Sequence, residues 1–318
     1  MIFKEKLKES YGLYLKKYAN QAKATIDHKK YVIESFLSSL PDDASTITGS
    51  DVLKWQNQFD VTTNTLNGHI VILRQFLAFV EGQGLHTTIP TTKKYVDDYI
   101  PYLFTTEELQ RLLSTADNNV SHSKIASTKT FCIPMIMRIL ASCGTRLSET
   151  LTLKWNDYDE ESGLLVLRNT KGKKERLVPL HISVNKILKQ YKHRFKCDYG
   201  DCEYLFPNDS LAGNITKQQF YYEFKKLCLR AGITTKKEFR RRGICAHCFR
   251  HTFAVTSLRN SLEKGIDISG TIPILSTYLG HERLQETEKY LKFSIDLFPT
   301  AEEMFSDYSA SIFEEAFL

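Results

Sequence analysis

The sequence predicts a mainly α protein with one small antiparallel β-sheet, built as an N-terminal helical domain and a larger C-terminal domain. Three observations carry this. Apolar residues recur at helical spacing through the first hundred positions. The period changes to short β-type runs only around residues 163–180. An aperiodic Thr/Pro-rich stretch, LHTTIPTTKKYVDDYIP at 85–101, separates the two halves. At 318 residues the chain has room for two domains with proper cores.

The N-terminal elements follow in order. Leu7, Tyr11, Tyr14 and Tyr18 mark one helix face. A second helix runs through YVIESFLSSL and stops at Pro41. Ser50 is the expected N-cap of a third, DVLKWQNQF. The fourth, TTNTLNGHIVILRQFLAFVEGQG, ends at Gly82 or Gly84. These define a domain over 1–88 and a linker over 89–102. The second domain opens on FTTEELQRLL, where Thr105 and Glu108 fit a capping box. An apolar helix, KTFCIPMIMRILASCG, ends at Gly144. GLLVLRN and KERLVPL then read as strands flanking the turn-like TKGKK, and helical patterns resume from His181.

Composition narrows the function classes. No apolar run approaches the roughly 18 residues of a membrane span, and the N-terminus MIFKEKLKESYG has no signal-peptide core. A cytoplasmic location is the expectation. Seven cysteines, an odd number, read as reduced side chains in that compartment. Net charge is +6, unevenly spread: +1 over residues 1–100, +10 over 101–296 and −5 over 297–318. A basic middle suggests a polyanionic partner, with nucleic acid the commonest.

Four separated pieces carry chemistry. Arg146 follows a helix-ending glycine in GTRLSETLTLKW, with Glu149 one turn later. Lys171 sits at the turn in NTKGKKERLVPL, with Lys173 and Lys174 as rivals. His247 and Arg250, three apart in RRGICAHCFRHTFAV, share a face if helical. His281 and Tyr290 lie in LSTYLGHERLQETEKYL. Singly, each has a bland reading: an ion-pair partner, a solvated hairpin lysine, a helix-face pair, a cap, a packing tyrosine. Together they suit phosphoryl transfer on a phosphodiester without a divalent metal. Two guanidiniums can hold non-bridging oxygens. Imidazoles and an ammonium can move protons, and a tyrosine hydroxyl can attack phosphorus.

In order and spacing these motifs resemble the tyrosine recombinase, or phage integrase, family over nearly the whole chain. GTRLSE, TKGKKERLVPL, HCFRHTFA and LGHERLQETEKY are similar to its four motif boxes in their order. The resemblance implies a helical core-binding, DNA-binding domain over 1–88 and a catalytic domain over 103–296. It implies that Tyr290 forms a 3′-phosphotyrosyl link and that Lys171 is general acid toward the 5′ oxygen. Arg146 and Arg250 would clamp the phosphate, and His247 and His281 would assist by proton transfer. Glu149 would brace the site, and His251 would be a supporting or packing residue. Lys292 stands where the family often has a histidine. No metal or other cofactor is expected. Cys245 and Cys248 with Cys197 and Cys202 could make a four-thiolate zinc site, but the wide separation of the pairs argues against it.

The partner implied is double-stranded DNA, with a homotetramer on synapsed sites and no membrane. Lys93, Lys94 and the cluster Lys236, Lys237, Arg240, Arg241 and Arg242 are the candidate phosphate contacts. Residues 297–318 form an acidic amphipathic tail, with Phe305, Tyr308 and Ile312 on one face. By resemblance that stripe would pack on a neighbouring protomer; docking on its own domain is the alternative. The chain starts almost directly with its core-binding helices, which favours a simple integrase or Xer-like architecture for integration, excision or chromosome-dimer resolution. The competing functions are a type IB topoisomerase-like nicking and rejoining enzyme, or a DNA-binding regulator whose catalysis has lapsed.

Overall fold

A computed structural model describes residues 2–94, 100–119, 127–168, 175–234 and 243–295. The chain divides into two compact units, Met1–Asp97 and Asp98–Leu318. Among the described residues no helix is long and apolar enough to cross a membrane.

The first unit is built on α1 (Ile2–Lys17), α2 (Lys23–Ser39), α3 (Gly49–Gln56) and α4 (Thr63–Glu81). Leu7 and Tyr14 of α1 are fully buried against Val32, Ile33 and Phe36 of α2 and the apolar stripe of α4. Leu40, forced extended ahead of Pro41, ends α2. The cap of α3 is Thr48, not Ser50. Asp51 lies three residues after Thr48, so its carboxylate accepts from the Thr48 backbone N–H at 2.9 Å, and Thr48 Oγ1 accepts from the Asp51 N–H. Ser50 has no such partner three residues on and falls inside the helix. Helix α4 ends at Gly82, while the left-handed turn comes two residues later at Gly84.

Residues 85–94, after α4, form no helix, and their backbone must find partners elsewhere. Asn67 supplies two: its Nδ2 donates to the Lys93 carbonyl and its Oδ1 accepts from the Lys93 N–H, both at 2.9 Å. Arg74 donates to the Pro90 carbonyl. Lys93 and Lys94 are exposed.

In the second unit the Thr105–Glu108 box caps α5 (Thr106–Asn118) in both directions. Helix α6 (Thr128–Cys143) is the core axis, buried on nearly every face, and stops at Gly144 in the left-handed conformation. Short α7 (Leu147–Leu151) leads to a sheet of β1 (Tyr158–Asp159), β2 (Leu164–Leu167) and β3 (Arg176–Pro179), antiparallel in that order. The central register pairs Leu165 with Val178. Strand β1 escaped the sequence reading because two residues cannot show an alternation.

Helix α8 (Ile182–Tyr199) follows, capped by His181. Helical structure does not continue unbroken from there. Gly200 (φ 82°) ends α8, and the segment to Thr216 is held by bridges Lys154↔Tyr204 and Pro207↔Asn214. The remaining helices are α9 (Lys217–Arg230), α10 (His247–Glu263), α11 (Ile268–Leu279) and α12 (Gln285–Ile295). Helix α10 packs against α6, α11 and α12, which gathers their ends into one place.

Candidate active site

Two helix ends organise the site. Helices α6 and α11 both terminate in glycines of positive φ, Gly144 at 59° and Gly280 at 67°. Each leaves carbonyls without helical partners. Arg250, in the first turn of α10, answers both: Nη1 donates to the Gly144 carbonyl at 2.9 Å and Nη2 to the Leu279 carbonyl at 2.7 Å. The guanidinium is only 1% exposed. Burial, with the Arg146 cation beside it, brings Arg250 down to about 10, so it stays charged at neutral pH. A cation at two helix C-termini is also favoured by their dipoles.

Arg146 stands two residues beyond Gly144, capping α7. Its Nη1 donates to Glu149 Oε1 at 2.9 Å, its backbone N–H to Glu149 Oε2 at 2.9 Å, and its Nη2 to the Gly280 carbonyl at 3.1 Å. Burial alone would raise the Glu149 carboxyl. The bonds from Arg176 and from Arg146 outweigh it and hold Glu149 below the ordinary carboxylate range.

The imidazoles and the phenol converge from α10, α11 and α12. Tyr290 is 4% exposed, and its hydroxyl lies 3.2 Å from His251 Nδ1. The His247 ring sits edge-on to His251 with centroids 4.5 Å apart, and the His281 ring lies 6.2 Å from Tyr290. His281 Nδ1 is 2.7 Å from Thr287 Oγ1. Burial, then the His247 ring and Arg250, pulls His251 from an ordinary 6.5 to about 3. Burial, then Arg250 and Arg146, does the same to His281. Both rings are neutral at pH 7, and each can accept one proton and donate another. Burial pushes the Tyr290 hydroxyl above the ordinary phenol value, against the pull of Arg250 and Arg146.

The fold thus brings Arg146, Glu149, His247, Arg250, His251, His281 and Tyr290 together from three separated stretches. Lys171, Lys173 and Lys174 lie outside the described residues, as do Lys236, Lys237, Arg240, Arg241, Arg242 and the tail 297–318. Lys93 and Lys94 belong to the other unit. Two contacts went unread in the sequence. Arg176 donates Nη1 to Glu149 Oε1 at 3.1 Å and Nη2 to Oε2 at 2.8 Å. It shares a strand face with buried Val178, so an inward-facing arginine was the available signal. Thr287 is fully buried against His281, three residues before Tyr290, a contact its place in LGHERLQETEKY does not reveal.

Cys248 is buried and Cys245 half-buried, with sulfurs 3.8 Å apart. The sulfur of Cys202 engages the Tyr204 carbonyl at 3.1 Å. Among the described residues no three His, Cys, Asp or Glu side chains are grouped to hold a metal ion.

Residues 103–294 match the phage integrase family. The chain belongs to the phage integrase family. Among its relatives is the tyrosine recombinase XerD of Rhizobium meliloti, 29% identical over 69% of this chain and 66% of that protein. The tyrosine recombinase XerA of Thermococcus kodakarensis is 26% identical over 76% of this chain and 75% of that protein. The chain spans 64%, 66% and 53% of the length of three of the curated relatives it matches. Its fold is shared with the XerH site-specific recombinase bound to palindromic difH substrate in a post-cleavage complex. That likeness has a TM-score of 0.65 at 19% identity over 87% of this chain and 78% of that one. The Tn1549 transposon integrase in complex with transposon right end DNA gives 0.65 at 17% over 89% and 94%.

Both organising glycines are sterically committed in this phage integrase chain. A Cβ on Gly144 would lie 2.6 Å from Phe253 Cδ1, and one on Gly280 would lie 2.8 Å from Arg176 Nη1. Either alanine substitution costs about 1–2 kcal/mol in backbone strain. Gly144→Ala adds ~1–3 kcal/mol of overpacking against the half-buried Phe253 ring, which is stacked on Tyr278. Chemical denaturation should therefore place Gly144→Ala below Gly280→Ala in stability, and both below wild type.

The depressed histidines also set an acid limb. Their native values lie below the unfolded one, so the unfolded chain binds protons that the native chain refuses. Stability is complete above 6.5 and declines as pH falls from there toward about 3. Urea midpoints should drop between pH 7 and about 5, before most carboxylates titrate. His251→Gln should flatten that drop, and an unchanged slope would contradict the assignment.

Proposed function

We propose that the protein is a site-specific DNA recombinase that cuts and rejoins strands through a 3′-phosphotyrosyl intermediate, serving mobile-element integration or excision, or chromosome-dimer resolution. The observation that carries this reading is the buried Tyr290 hydroxyl beside a neutral His251, with Arg146 and Arg250 adjoining, in a phage integrase chain. Tyr290 attacks the scissile phosphate and its proton passes to a neutral imidazole, with His251 standing at the hydroxyl. The P–O5′ bond breaks, and Lys171 supplies the proton to the leaving oxygen. Arg146 and Arg250 stabilise charge on the non-bridging oxygens, while His247 and His281 hold or relay protons. The phosphotyrosyl bond conserves the energy of the broken linkage, so a 5′-hydroxyl from a partner strand reverses the step.

In this reading the first unit is the core-binding DNA domain, residues 103–296 are catalytic, and four protomers act on synapsed DNA. The acidic tail 297–318 packs on a neighbouring protomer. Lys93, Lys94 and the basic cluster at 236–242 contact phosphates, so binding weakens steeply with salt. The test selects bound duplexes from a randomised DNA pool and converts the recovered site into a nicked suicide substrate. A covalent protein–DNA adduct supports the reading, and its absence on a tightly bound site defeats it. A two-site exchange assay with a supercoil-relaxation control separates recombination from simple nicking and rejoining.

A further inference from the structure

The proposed chemistry leaves Arg176 unused, yet it is placed against two groups that fix Arg146. Its side chain is 13% exposed, and both terminal nitrogens are directed at the Glu149 carboxylate. Glu149 in turn receives Arg146 Nη1 and the Arg146 backbone N–H, so each carboxylate oxygen accepts one bond from each arginine. On its other side the Arg176 guanidinium lies against Gly280, close enough that a Cβ there would meet Nη1 at 2.8 Å. The Gly280 carbonyl is the second acceptor of Arg146, through Nη2 at 3.1 Å. Arg176 opens β3, so the strand is joined through it to α7 and to the end of α11.

We infer that Arg176 is a positioning residue for Arg146, holding Glu149 and abutting Gly280 so that the Arg146 guanidinium is fixed for the scissile phosphate. The inference rests on the recombinase reading above. A simple structural ion pair would need only Arg176 and Glu149; here the same two oxygens also hold Arg146. Misplacing a phosphate-holding guanidinium by about 1 Å can slow a reaction by about a hundredfold. A planar two-pronged donor is needed to address both carboxylate oxygens at once, and a lysine offers only a point charge.

Removing Arg176 also leaves a buried carboxylate with less compensation, and burial is the largest influence on Glu149. The charged groups around it are Arg146 before α7, Arg176 on β3 and Arg250 on α10. His281, beyond α11, lies near the same three arginines. Glu149 would then take up a proton as pH falls, which releases Arg146.

The test measures single-turnover adduct formation on the suicide substrate, DNA affinity, thermal melting and a pH–rate profile. The chains are wild type, Arg176→Met, Arg176→Lys, Arg146→Lys and the double variant Arg176→Met/Arg146→Lys. Arg176→Met should slow adduct formation about tenfold to a hundredfold with DNA affinity kept. Its rate should fall further on the acid side, where wild type stays level. The same substitution should cost little more on the Arg146→Lys background, because the residue it positions is already altered. Arg176→Lys should melt near wild type and still cleave more slowly, which keeps the test valid if Arg176→Met folds poorly. Undiminished cleavage in both Arg176 variants, full additivity with Arg146→Lys, or an unmoved pH profile would each overturn the inference alone. No adduct from the wild-type protein would overturn the recombinase reading and this inference with it.

Discussion

Tyr290→Phe is expected to abolish covalent adduct formation while leaving DNA binding intact. Phenylalanine keeps the ring that packs 5.6 Å from His251 and 6.2 Å from His281. It removes the hydroxyl that attacks phosphorus in the proposed reaction. That hydroxyl lies 3.2 Å from His251 and also engages Arg250, so the stability change should be about 1–3 kcal/mol, the worth of a hydrogen bond to a neutral and a charged partner. Folding and affinity therefore serve as internal controls. The adduct is read by denaturing gel on the nicked substrate, where the broken strand cannot religate. An adduct of normal yield in Tyr290→Phe would place the nucleophile on another side chain. Lys289 and Leu291, its neighbours in sequence, offer no competing hydroxyl.

Arg250→Met is expected to damage both chemistry and stability. Removing one preorganised donor to a developing charge costs about a hundredfold to a thousandfold in rate. Beside the phosphate-holding role proposed for it, Arg250 is structural. The Gly144 and Leu279 carbonyls lose their donors, and leaving buried acceptors unpaired costs about 1–3 kcal/mol each. Melting and adduct formation should fall together. Arg250→Lys retains a cation but loses the planar fork whose two nitrogens each reach one carbonyl, so it should recover part of the stability and little of the rate. A protein of wild-type stability after Arg250→Met would show that the two helix ends are held by something else.

The contrast between these two substitutions follows from where the side chains come from. Tyr290 is carried on one face of a helix, and its removal leaves the helix seated. Arg250 is a fastener between α6, α10 and α11, so chemistry and architecture cannot be separated there. Arg176 falls between them. Through Glu149, in the first turn of α7, and Gly280 it sets the place of the other arginine.

Much of this was legible in order along the chain. The His247–Arg250 spacing, the helix-ending Gly144 and the Thr105–Glu108 cap each depend on residues within a turn of one another. Local geometry expresses such spacing directly. The errors were also local: Thr48 outcompeted Ser50 because only Thr48 has an acid three residues on, and β1 is too short to alternate. What could not be read was any contact made across the fold. Nothing in KERLVPL says that Arg176 meets Glu149, 27 positions earlier. Nothing in HCFRHTFA says that His251 rather than His247 stands 3.2 Å from the Tyr290 hydroxyl.

By itself the sequence determined the mainly α class with its small antiparallel sheet and the family resemblance, because periodicity, caps and motif spacing are properties of neighbours along the chain. The tertiary structure alone decided which side chains share a hydrogen bond, which carbonyls Arg250 satisfies, and that His251 and His281 are held neutral at pH 7. Those outcomes depend on burial and on charges delivered from distant segments, and both come into being only when α6, α10, α11 and α12 close on one another.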